Sequence, residues 1–225
     1  MESNVHVIRG IFQSKAYIQK VSEQEQVLIK PILLKTSLLV GMSLLLSTLL
    51  GLAGYHTEEI SKLVNQTSMK EIEALQFYHV LGLGLKGLIL PILYVLLSSS
   101  LSYLFMREIK WGVLVHIHLL FVWFLLLNQA IELGLFYFFG IPSISSPLSL
   151  GIVGQILLDH PLFIHILSHI NLVYLGGVLY ITLLLKSVTS RKKLEIGLIV
   201  VGIHLLLAII AAGISVINID SLLGL

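Results

Sequence analysis

Five long apolar runs, each free of Asp, Glu, Lys and Arg, follow one another along the chain: Thr36 to Gly54, Gly87 to Met106, Trp111 to Ile131, Pro161 to Leu185 and Ile196 to Ile219. Crossing a hydrocarbon layer of about 30 Å takes roughly 20 helical residues, so each run predicts one transmembrane helix. Ahead of them, Val7, Ile8, Ile11, Phe12, Ile18 and Val21 recur at roughly helical spacing among Arg9, Lys15 and Lys20. That pattern predicts an amphipathic lead-in helix, which either lies on the inner membrane surface or packs on the bundle.

The connections sharpen this outline. Ser68 and Glu71 have capping-box spacing and predict a helix start, from which the second span runs through Pro91. The third span is expected to continue past Gln129 and Glu132 to Phe139. After it, Pro142, Ser143, Ser145, Ser146 and Pro147 predict a loop, and Leu148 to Leu158 is an apolar run too short to cross. That run predicts a short interfacial or shallowly re-entrant helix before span four.

Charge adds orientation. Arg9, Lys15, Lys20, Lys30 and Lys35 precede span one, Arg107 and Lys110 join spans two and three, and Lys186, Arg191, Lys192 and Lys193 join spans four and five. These are 11 of the 14 basic residues, so the N-terminus is predicted cytoplasmic and the C-terminus external. The resulting expectation is an all-α integral membrane protein, with residues 1–30 as a cytoplasmic lead-in and residues 31–225 as a single five-helix domain. Residues 1–30 show no cleavable-signal pattern. A net charge of +2 gives no argument for a nucleic-acid partner, and membrane lipid accounts for the basic residues. With no cysteine, disulfides, Cys-ligated zinc and a thiol nucleophile are excluded.

Several patterns carry candidate chemistry. Gly82-Leu83-Gly84-Leu85-Lys86-Gly87 matches the dinucleotide-binding fingerprint, but that fingerprint works only where a strand turns into a helix beneath a pyrophosphate. Inside an apolar helix, Gly82 and Gly84, like Gly176 and Gly177, predict close helix packing instead. Lys86 and Glu132 fall inside or at the end of spans two and three. Ionisable groups in lipid are costly unless paired or hydrated, so they predict an intramembrane polar pair or a wet cavity. Asp159, His160, His165 and His169 cluster at the outer end of span four. His165 and His169 share a helix face and are candidate metal ligands with Asp159 or Glu132, against the alternative of packed, hydrogen-bonded histidines. The residues between them lack the Glu of a zinc-protease helix. His116 and His118 point to different faces, and Glu58-Glu59 with Lys62 lacks the spacing of intramembrane prenyl-endopeptidases. No cofactor and no resident metal are expected.

The order of weaker signatures is informative as a set. Lys30-Pro31 before span one, Ser146-Pro147-Leu148-Ser149-Leu150-Gly151, then Leu167-Ser168-His169-Ile170-Asn171-Leu172, Gly176-Gly177 and the stretch from Ser187 to Lys193 before the last span together resemble the YIP family. The family is named for Ypt/Rab-interacting proteins, and the likeness is to its short bacterial members. The resemblance covers most of the chain and implies five spans with a cytoplasmic N-terminus. It further implies a non-enzymatic adaptor or accessory subunit of the bacterial plasma membrane, associated with an ABC-type exporter that protects against a toxic peptide. Two other functions are weighed against it. One is a small transporter or channel with an outer-side polar path through Lys86, Glu132, Asp159, His165 and His169; the other, least favoured, is a metal-dependent intramembrane hydrolase.

Overall fold

The computed structural model describes residues 14–23, 29–55, 57, 60, 61 and 68–216. The remainder of the lead-in, and Glu58 and Glu59, lie outside the described residues. The described chain is helical: α1 (Ser14–Glu23), α2 (Ile29–Leu52), α3 (Met69–Phe105), α4 (Trp111–Phe139), a 3-10 turn (Ser143–Ser145), α5 (Gly151–Leu157), α6 (Pro161–His169), α7 (Leu172–Lys186) and α8 (Lys193–Val216). Four of these, α2, α3, α4 and α8, are long and apolar enough to cross a membrane.

The fourth expected span is not one helix. Asn171 interrupts it, its side-chain oxygen accepting a hydrogen bond from Tyr174 N at 2.8 Å and so capping α7. The break is held by an antiparallel bridge between Ser149 and Asn171, with Leu150 N donating to Ile170 O and Leu172 N to Leu148 O, both at 3.0 Å. What remains as α7 is 15 residues, about 22 Å of helix and short of the hydrocarbon thickness. The expected short helix before it is α5, which packs on α6.

Helix ends follow their local chemistry. The Ser68 backbone and hydroxyl donate to the Glu71 carboxylate at 3.0 and 2.8 Å, and α3 starts there and runs on through Pro91. Gly140, at φ +66°, ends α4 in the left-handed conformation that a Cβ disfavours.

The bundle is organised around α4, whose residues from Val113 to Val122 are all buried. A helix apolar all round belongs at the centre of the packing. On one side Val113, Ile117 and Phe121, with Met106 from the end of α3, pack against Val178, Ile181 and Leu185 of α7 and Ile196 and Val200 of α8. The other packs Val115, Leu119, Val122 and Leu126 on Leu39 of α2 and Val95 of α3. Ile18 and Val21 of α1 are inserted into the first cluster, so this part of the lead-in packs on the bundle.

Helices α2 and α3 form an antiparallel hairpin in which small residues face each other. Ser43, Ser47 and Gly51 line α2; a Cβ added at Gly87 would lie 2.7 Å from Ser43 O and 2.5 Å from Ser47 Oγ. At Gly84 it would lie 3.3 Å from Thr48 Oγ1, and at Gly51 3.1 Å from Val80 Cα. Without a hydrophobic driving force between helices in lipid, such close approach supplies the association through dispersion contacts. Gly82 faces open space, so it takes no part in this packing. On the far side Gly177 is pressed on Phe121, where a Cβ would come within 2.5 Å of the ring, while a Cβ at Gly176 would lie 4.0 Å from Phe124.

Candidate functional site

The most concentrated buried chemistry lies where α3, α4, α7 and α8 meet. Tyr94, Phe121, Tyr174 and His204 each sit about three turns from the helix ends that carry Arg107, Lys110, Lys186 and Arg191. At 1.5 Å per residue that is roughly 15–18 Å, half the hydrocarbon thickness. His204 is 2% exposed and His118, also from the bundle interior, 1%.

The hydrogen bonds fix the arrangement. Tyr94 Oη lies 2.7 Å from His204 Nδ1, and Tyr174 Oη lies 3.1 Å from both His204 Nδ1 and His204 O. His118 Nδ1 donates to Leu114 O at 2.9 Å and lies 3.4 Å from Ser99 Oγ. Ser102 Oγ lies 3.3 Å from His118 Nε2. The two imidazoles are near-parallel, with ring centres 6.4 Å apart, and Phe121 fills the space beside them, 4.6 Å from the His204 ring. Four helices are thus tied through two histidines, two tyrosines and two serines. One polar atom of this centre, His204 Nε2, is buried without a partner.

A second polar rung lies towards the opposite end. Gln129 Nε2 donates to Ser47 Oγ at 2.6 Å, joining α4 to α2. Glu132 accepts from Asn128 Nδ2 at 2.8 Å, one turn earlier on its own helix. Among the described residues no ion pair joins Lys86 to Glu132. The Lys86 side chain is exposed. His169 Nε2 is buried without a partner, and Asp159 is exposed. No group of three His, Cys, Asp or Glu side chains among the described residues is placed to hold a metal ion.

The basic end is clamped by Arg191, between α7 and α8. Arg191 Nε donates to Glu108 Oε1 at 2.6 Å and Nη2 to Oε2 at 3.1 Å, while Nη1 donates to Glu195 at 2.8 Å. The Arg191 guanidinium holds the Glu108 carboxyl below the usual glutamate range. Nearby, Lys35 Nζ donates to Tyr17 Oη at 2.5 Å and stands 3.8 Å from that ring's centre. Burial pushes the Tyr17 hydroxyl up to about 12.

The sequence pattern singled out Lys86, Glu132, Asp159, His165 and His169; in the structure Lys86 and Asp159 are exposed, Glu132 bonds to Asn128 of its own helix, and among the described residues no ion pair joins them. The pattern missed the central site. His204 is a lone histidine in an apolar run, and its partners Tyr94 and Tyr174 are 110 and 30 residues away, beyond any periodicity. The available signal was the rule that a polar group inside a span needs a partner. An apolar groove of about 440 Å³ also opens between α2 and α4, lined by Leu49, Leu52, Ala53, Ala130, Leu133, Gly134, Tyr137 and Phe138. Neither a family model, nor a curated protein, nor a solved structure matches this chain.

Proposed function

We propose that this chain is a non-enzymatic membrane adaptor that works by assembling with other membrane proteins. The observation that carries the reading is the use made of its buried polar groups: Tyr94, Tyr174, His204, His118, Ser99, Ser102, Gln129 and Ser47 bond helix to helix. Polar groups used in this way hold a bundle together in lipid. In this reading α6 and α7 together make a fifth crossing, the N-terminus is cytoplasmic and the C-terminus external. The likeness to short bacterial YIP proteins supports a bacterial plasma membrane location and an ABC-type exporter as partner, in protection from a toxic peptide. Gly82, open on the bundle surface, is where a partner helix can approach closely.

Affinity purification of the intact chain from its native membranes, with identification of what accompanies it, tests this. Exporter subunits are expected, and Gly82→Leu is expected to lower their recovery while leaving the bundle folded. Recovery of the chain without membrane-protein partners overturns the proposal. A second reading, a transporter with a polar path at Lys86, Glu132, Asp159, His165 and His169, is favoured by the buried, unpartnered Nε2 of His169. His165→Gln and His169→Gln separate the two. An adaptor keeps its partners and the resistance phenotype, whereas a transporter loses resistance with the complex intact.

A further inference from the structure

The buried centre on α8 leaves one donor to be accounted for. Tyr174 Oη lies 3.1 Å from His204 O, a pure acceptor, so its proton is directed there. Tyr94 Oη lies 2.7 Å from His204 Nδ1, and with Tyr94 as the donor Nδ1 accepts. A neutral imidazole with Nδ1 accepting carries its proton on Nε2. In that tautomer Nε2–H is the buried group without a partner, on a side chain 2% exposed in the middle of a membrane-spanning bundle. Buried N–H groups far from water are nearly always paired.

An acceptor stands on α4. His118 donates from Nδ1 to Leu114 O, so its Nε2 presents a lone pair, with only the Ser102 hydroxyl near it at 3.3 Å. The ring centres of His118 and His204 are 6.4 Å apart, with planes inclined by 23°. This is too far for the two imidazoles to be in face-to-face contact. We propose that His204 and His118 enclose a binding site for a single water molecule, which accepts from His204 Nε2–H and donates towards His118 Nε2. The hydroxyl of Ser102 is the third polar group available to it, within the two to four partners that a buried water uses. The chain of hydrogen bonds then runs from Tyr94 and Tyr174 through His204, the water and His118 to Ser102, across all four helices. This goes beyond the adaptor reading and does not rest on it.

The test is nitrogen-15 and proton correlation spectroscopy of the full-length chain, labelled at histidine and reconstituted in lipid vesicles. His204 is expected to show a protonated Nε2, an unprotonated Nδ1 and a cross-peak from Nε2–H to water. His118→Phe should abolish the water cross-peak while His204 keeps its tautomer, and His118→Asn, which restores an acceptor, should retain it. A wild-type Nε2–H with no water contact, or a His204 protonated on Nδ1 instead, overturns the proposal. Because the unsubstituted protein gives that answer, failure of a variant to fold does not protect it.

Discussion

The three glycines of the Gly82 to Gly87 stretch should respond to alanine in opposite directions. Inside a helix, replacing Gly by Ala gains about 0.5–1 kcal/mol, because the unfolded chain has less freedom to lose. At Gly82 nothing lies within 4 Å of the new Cβ, so Gly82→Ala is expected to keep that gain. At Gly84 the new Cβ meets Thr48 Oγ1 at 3.3 Å, a side-chain tip that yields by a few tenths of an ångström, and the outcome should be near neutral. At Gly87 it meets Ser43 O at 2.7 Å, a backbone atom that moves only with α2. It also meets Ser47 Oγ, which receives the hydrogen bond from Gln129. Overpacking costs typically about 1–3 kcal/mol and a lost helix-to-helix hydrogen bond in a membrane about 1 kcal/mol. Against the propensity gain, Gly87→Ala should destabilise by roughly 1–3 kcal/mol. Unfolding of the three variants in mixed micelles, followed by far-ultraviolet circular dichroism, should order them Gly82→Ala, Gly84→Ala, Gly87→Ala from most to least stable. Equal loss at Gly82 and Gly87 would refute the close approach of α2 and α3 along this face.

Further outcomes follow from the ends of the bundle. Glu108 has its proton affinity lowered in the folded protein by Arg191, so its contribution is present above the ordinary glutamate range and is lost as pH falls through its lowered folded value. The difference in melting temperature between the parent and Glu108→Gln should therefore be greatest near neutral pH and vanish in acid, and a difference that survives acid would show that the ion pair is not its source. Tyr17→Phe removes the acceptor of the Lys35 ammonium and should destabilise by about 1.5–3 kcal/mol, the range for hydrogen bonds to charged groups; thermal unfolding in detergent measures it. Single cysteines at Ser22, Ser143 and Ser221 test orientation: an impermeant thiol reagent on sealed cells should label the latter two, and labelling at Ser22 overturns the cytoplasmic N-terminus.

The spans of α2, α3, α4 and α8 were legible because a run without Asp, Glu, Lys or Arg is itself the physical requirement for crossing lipid. The same criterion concealed the break at Asn171. An amide side chain is not charged, so Pro161 to Leu185 reads as one apolar run although Asn171 is a favoured N-cap. The bridge from Ser149, which holds the break in place, depends on a partner some twenty residues earlier and leaves no trace in periodicity.

The glycines show what helical phase adds. Gly84 and Gly87 are three residues apart and share a face, whereas Gly82 and Gly84 are two apart and fall on nearly opposite faces. Counting small residues therefore placed Gly82 in the packing, while their angular position assigns the contact to Gly84 and Gly87. The central site lies beyond both kinds of reading. His118, Tyr94, Tyr174 and His204 come from four helices, and each looks like an isolated polar residue in its own apolar run. Isolation is the useful signal. A histidine in the middle of a span is costly to leave unpaired in lipid, so several such residues at matching depth imply one meeting point. Matching depth can be estimated by counting turns from the basic ends, and Tyr94, Tyr174 and His204 coincide at about three turns by that count, with His118 one turn nearer the basic end.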